Sequence, residues 1–164
     1  MKQLSVMIKP ASALCNLRCK YCFYADIADL REVRSFGIMK QETTEAILKN
    51  IHESLSCGDS ITFAFQGGEP TLAGLPFFRN FVHTVRQENK FHIPVDFSLQ
   101  TNGVTLDEPF ATFLAEEHFL VGLSLDGIRA VHDRYRTDAN GHGTYDTVCR
   151  CCQTPNRLCP HMQK

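Results

Sequence analysis

Apolar positions along this chain switch between a strand-like and a helical period, and the switches recur in order. Leu4 to Pro10 is an apolar, β-like run, with a strand expected over Val6 to Lys9. From Gln41 to Leu55, the residues Ile47, Leu48, Ile51 and Leu55 share one helical face; Ile61 to Phe65 is then a short strand entered from a Gly58-Asp59 turn. Leu75, Phe78, Phe81, Val82 and Val85 return to helical spacing, and Val95 to Leu99, after Pro94, gives a third strand. Asp107 can cap a helix bearing Phe110, Phe113 and Leu114, with Pro109 tolerated in its first turn, before a fourth strand over Phe119 to Leu125. Such βα alternation predicts an α/β fold with a parallel sheet, open or closing toward a barrel.

Chemistry-bearing residues cluster where these strands end. Cys15, Cys19 and Cys22 form C-x3-C-x2-C (CNLRCKYC) just after the first strand. Three thiolates on one loop can hold three corners of a 4Fe-4S cube and leave the fourth iron open. The alternative is zinc, which needs a fourth ligand and commonly shows paired C-x2-C spacing. QGGEP follows the second strand, QTNG the third and SLDG the fourth, so all four motifs fall on the carboxyl rim, where parallel α/β folds collect ligands.

In that order, CNLRCKYCFY, FQGGEPTLAG, LQTNG and FLVGLSLDG resemble the radical S-adenosylmethionine (SAM) superfamily, and within it the anaerobic sulfatase-maturating enzymes, over residues 5–148. The resemblance implies a partial (β/α)6 barrel, here reaching about four βα units, with a 4Fe-4S cluster and SAM as cofactors. It implies Cys15, Cys19 and Cys22 as cluster ligands. SAM would meet Gly68 and, less directly, Gly67 through its amino group, a backbone contact of Tyr21 near its adenine, Ser124, and Arg136 at its carboxylate, with Arg134 as the fallback one turn away. Tyr24, Gln66 and Gln100 match substrate-facing positions. The implied reaction oxidises a Cys or Ser of an unfolded sulfatase segment to formylglycine through a 5′-deoxyadenosyl radical, with an electron donor such as flavodoxin or ferredoxin. The family's catalytic base and its cysteine-rich domain with two auxiliary clusters would lie beyond this chain. Three rivals are another peptide-modifying radical SAM enzyme, a zinc-binding interaction module, and a degenerate fragment that folds poorly.

Period two along the fourth strand would put Ser124 and Asp126 on one face. His83, His92, His118 and His132 lie in separate elements and read as surface or core-edge residues. A net charge of −1, from 17 basic and 18 acidic residues, gives no field that favours nucleic acid or an anionic membrane. With neither a signal-peptide pattern nor an apolar run near ~20 residues, a cytoplasmic protein is expected. Its eight cysteines then suggest metal or redox chemistry rather than disulfides.

The tail departs from this pattern. From Val148 onward the resemblance implies an amphipathic helix leading to a fifth strand, but the residues include two prolines and no apolar period, so a helix is not expected. Cys149, Cys151, Cys152, Cys159 and His161 could suggest a second metal site. Back-translation favours a frameshift instead: the codons for Cys-Cys-Gln-Thr-Pro-Asn, read from the second base, permit Ala/Val, Ala/Val, Lys/Arg, Leu, Leu, the missing helix. Residues 1–148 are therefore expected to form the front part of a radical SAM core, and 149–164 an aberrant tail.

Overall fold

A computed structural model of the protein describes residues 1–153. Strands β1 (Gln3–Ile8), β2 (Ser60–Phe65), β3 (Val95–Thr101) and β4 (Leu120–Leu123) form one parallel sheet in the order β1-β2-β3-β4. The helices are α1 (Phe23–Asp29), α2 (Gln41–His52), α3 (Leu75–Glu88), α4 (Glu108–Glu116), α5 (Arg129–Tyr135) and α6 (Tyr145–Gln153), with a 3-10 turn at Pro70–Ala73. Ile8, Phe65, Leu99 and Val121 stand in register across the sheet, so the following loops leave side by side.

Alternation along β2 turns Ile61, Phe63 and Phe65 to one face, where helices cover them. Phe65 meets Phe78 and Phe81 of α3 with ring centroids 5.0 Å away in each case, and Phe97 stacks on Phe119 at 5.0 Å. Burying each such ring contributes roughly 1.5–3 kcal/mol, so this aromatic layer fixes the sheet against its helices. Asp107 caps α4 by accepting from Phe110 N at 2.9 Å, with Pro109 in the first turn as expected. Among the described residues no helix is long and apolar enough to cross a membrane.

Three expectations need correction. β4 stops at Leu123, so Ser124 and Asp126 belong to the following loop rather than to a strand face. His132 is neither a surface nor a core-edge residue: it is 0% exposed, because both ring nitrogens find partners inside the fold. The helix not expected after Val148 does form, since α6 runs through Cys149 to Gln153. Its apolar face is short, Val148 with Cys151 at i+3, and cysteine packs there as a small apolar residue. Cys159 and His161 lie outside the described residues.

Candidate functional site

The loop after β1 is pinned on three sides before it presents its thiols. Ala11 and Leu17 are buried, Glu69 N donates to Leu14 O at 2.7 Å, and Arg18 N and Lys20 N donate to Thr137 O and Tyr135 O at 2.7 and 2.9 Å. Cys15, Cys19 and Cys22 stand half-buried around a cavity of about 230 Å³. Cys15 Sγ accepts from Leu17 N at 3.4 Å and from Asn102 Nδ2 at 3.8 Å; Cys19 Sγ accepts from Arg136 Nη1 at 3.9 Å. Burial pushes the Cys15 and Cys19 thiols up, and neighbouring thiols add to it, Cys22 acting on both; Arg136 pulls Cys19 the other way.

That mutual repulsion is relieved when a polycation takes the place of the protons. Among the described residues, no three Cys, His, Asp or Glu side chains converge on a point suited to one metal ion. The cysteines instead ring a cavity on whose wall, among the described residues, no fourth cysteine or histidine stands. A closed tetrahedral zinc site needs four converging donors, whereas a 4Fe-4S cube takes each thiolate on a different iron. The donor set fits the cluster.

The same cavity is lined by Tyr21, Tyr24, Gln66, Gly67, Gly68, Gln100, Ser124 and Arg136, so every site residue expected from the sequence meets at one place. Gly68 has φ +54°, and a Cβ there would stand 2.3 Å from Leu14 O. Glycine is thus what lets the QGGEP loop rest on the backbone of the cysteine loop. Next to it, Glu69 is 1% exposed and joins three segments. Its Oε1 accepts from Thr71 N, Thr71 Oγ1 and Thr101 Oγ1 at 3.0, 2.6 and 2.7 Å, and its Oε2 from Asn102 N at 2.7 Å. Asn102 in turn donates to Asn16 Oδ1 at 2.8 Å and reaches Cys15, so the carboxylate holds the β3 loop against the cysteine loop. Sequence reasoning missed Glu69; the signal available was an acid followed by Thr71 and matched by Thr101-Asn102 at the next strand end.

On the far wall, Gln100 Nε2 donates to Ser124 Oγ at 3.0 Å, closing β3 onto the loop after β4. Arg136 Nε lies 3.0 Å from Asp126 Oδ2, in an ion pair too oblique for a hydrogen bond, and the guanidinium stacks over the Tyr21 ring at 5.2 Å. Tyr21 OH also donates to Asp126. The Tyr21 side chain is therefore engaged, and is not mere packing beside a backbone contact. Burial and then the Asp126 carboxylate push its phenol up to about 12. Burial opposes ionisation of Asp126, but the Tyr21 hydrogen bond and Arg136 outweigh it and hold the carboxyl below its usual range. Arg134 is exposed over the Tyr135 ring at 5.5 Å and does not line the cavity, which leaves Arg136 as the site arginine.

A parallel α/β sheet with a three-cysteine loop after its first strand, and glycine, serine and arginine contacts gathered at its carboxyl edge, defines the class. The family model for the radical SAM superfamily matches residues 10–158, and the chain belongs to that superfamily. It is 49% identical over 157 residues to the cysteine-type anaerobic sulfatase-maturating enzyme of Clostridium novyi, covering 96% of this chain and 41% of that protein. It is 31% identical over 147 residues to the serine-type enzyme of Bacteroides thetaiotaomicron, covering 90% of this chain and 35% of that protein. Among solved structures, native anSMEcpe with bound AdoMet superposes with a TM-score of 0.84 at 46% identity, over 92% of this chain and 40% of that one. The chain thus spans about two fifths of the length of the cysteine-type relative it matches.

Proposed function

We propose that this chain carries the cluster- and SAM-binding part of an anaerobic sulfatase maturase of the cysteine type. The observation that carries the reading is the single cavity of about 230 Å³ bounded at once by Cys15, Cys19, Cys22, the Gly67-Gly68 edge, Ser124 and Arg136. Cysteine over serine as target rests on the higher identity to the cysteine-type relative, 49% against 31%.

In this reading Cys15, Cys19 and Cys22 would each hold one iron of a 4Fe-4S cluster, on a loop pinned to Glu69, Tyr135 and Thr137. With SAM bound, such a cluster would supply one-electron reduction of a sulfonium and, from that, abstraction of a β-hydrogen from a cysteine. The protein's own groups bind and orient. Gly67 and Gly68 offer carbonyls to the SAM ammonium at an edge without side chains. Arg136 is fixed through Nε by Asp126 and through Nη1 by Cys19, which leaves Nη2 for a carboxylate. Ser124 and Gln100, bonded to each other, close the opposite wall, and Tyr24, Gln66 and Gln100 face the peptide, an unfolded sulfatase segment. The electron comes from a donor of the flavodoxin or ferredoxin kind, in the cytoplasm.

The test is anaerobic incubation of the reconstituted, dithionite-reduced chain with SAM and a sulfatase peptide deuterated at the β-carbon of its target cysteine. Deuterium should appear in 5′-deoxyadenosine, several-fold more than from the matching serine peptide. 5′-Deoxyadenosine without deuterium from either peptide overturns the reading.

A further inference from the structure

His132 has a partner at each ring nitrogen although it touches neither the cavity nor the cysteines. Asp126 N donates to Nδ1 at 3.4 Å, and Nε2 lies 3.0 Å from Thr144 Oγ1. Thr144 uses its single hydroxyl proton on Arg136 O at 3.0 Å, so toward His132 it must accept. The imidazole is therefore neutral, with its proton on Nε2 and a lone pair toward Asp126. Its own carbonyl accepts from Arg136 N at 2.8 Å. That last bond is the ordinary C-terminal bond of α5; it is the ring that reaches the backbone of both members of the Asp126–Arg136 ion pair, directly at Asp126 and through Thr144 at Arg136.

We propose that His132 is a positioning residue for the SAM pocket: neutral and protonated on Nε2, it sets Asp126 and Arg136 in the register that points the guanidinium into the cavity, and protonation releases them. The inference rests on the reading of Arg136 as the SAM-carboxylate partner. A proton on Nδ1 turns an acceptor into a donor facing the Asp126 N–H, and the contact is lost. The charged groups facing the ring are Asp126 from the β4 loop, Asp133 from its own helix, and Arg136. Asp133 already accepts from Tyr145 N at 2.9 Å, while Tyr145 of α6 meets the imidazole edge-on at 5.6 Å. Burial is the dominant influence and pushes His132 below its usual range, against the pull of Asp126 and Asp133 and with the push of Arg136. The folded state then binds fewer protons than the unfolded one, so stability rises with pH in this window. It is lost as pH falls below about 6.5 toward the lower folded pKa.

The experiment follows SAM affinity of the reconstituted chain by anaerobic calorimetry at pH 7.5 and pH 5, together with NMR of His132, the Asp126 amide and Arg136 Nε across that range. Wild-type affinity should fall as the His132 ring takes up its proton, at a midpoint below the usual histidine range, with the Asp126 and Arg136 signals following that same midpoint. His132→Asn keeps an acceptor for Asp126 N but loses Thr144. It should bind SAM about tenfold more weakly at pH 7.5, about 1.4 kcal/mol, with little further change at pH 5. His142→Gln, at an exposed histidine paired with Asp138, should behave as wild type. Wild-type affinity and pH profile in His132→Asn, or Asp126 and Arg136 signals that ignore His132, overturn the proposal. If the wild-type chain binds no SAM, the proposed function falls, while the NMR titration, which needs neither SAM nor a variant, still decides the role of His132.

Discussion

Glu69→Gln changes almost no volume, yet it removes a charge and replaces one acceptor by a donor in a site that is 1% exposed. Oε1 takes three donors, Thr71 N, Thr71 Oγ1 and Thr101 Oγ1, so the glutamine carbonyl will turn to that side. Its amide then faces Asn102 N, which now reaches Oε2 at 2.7 Å. Losing that charge-assisted bond costs about 1.5–3 kcal/mol, and the buried N–H left without an acceptor adds about 1–3 kcal/mol. Glutamine avoids part of the desolvation that a buried carboxylate suffers, which offsets some of this. The net destabilisation is about 2–4 kcal/mol, and at about 2–4 °C per kcal/mol for a chain of this size Tm should fall by several degrees or more. Urea denaturation followed by circular dichroism measures it, with an unchanged m-value as the sign that only stability moved. Because Asn102 also contacts Cys15, the variant should retain less iron after reconstitution. A change within about 0.5 kcal/mol of wild type would refute the assignment of Glu69 as the joint between these loops.

Gly68→Ala places a Cβ 2.3 Å from a backbone carbonyl at a positive φ, so it should cost more than about 1 kcal/mol and lower iron retention, whereas a thermally silent variant would show that the loops are not in contact. The Tyr21 phenol, at about 12 against about 10 in the unfolded chain, keeps its proton longer when folded. Stability linked to it should be complete below pH 10 and decline between about pH 10 and pH 12; ultraviolet titration of wild type against Tyr21→Phe checks this, and a missing high-pH phenol would count against it.

The strands and the motifs at their ends were legible because a sheet buried fully on one face only imposes alternation on sequence, and β2 shows it in Ile61, Phe63 and Phe65. Contacts made across long separations were not. Nothing local to His132 announces Thr144 as its partner, and nothing local to Glu69 announces Asn102. The short helices α1 and α5 carry one buried residue each, Ala28 and His132, too few to form an apolar period. α6 escaped for a related reason: its buried face is only Val148 and Cys151, too short to show an apolar period, and two prolines follow in the sequence.

Iron bound per chain after anaerobic reconstitution, measured for wild type and for single Cys→Ala variants, tests the central claim most directly. About four irons should bind the wild type, with the broad absorbance of a 4Fe-4S cluster near ~400 nm. Cys15→Ala, Cys19→Ala or Cys22→Ala should each abolish it, since the three thiolates hold separate corners. Cys149→Ala should leave it intact, because Cys149 does not line the cavity. A colourless protein that takes up zinc instead, or equal iron loss from Cys149→Ala and from the loop cysteines, would contradict the account.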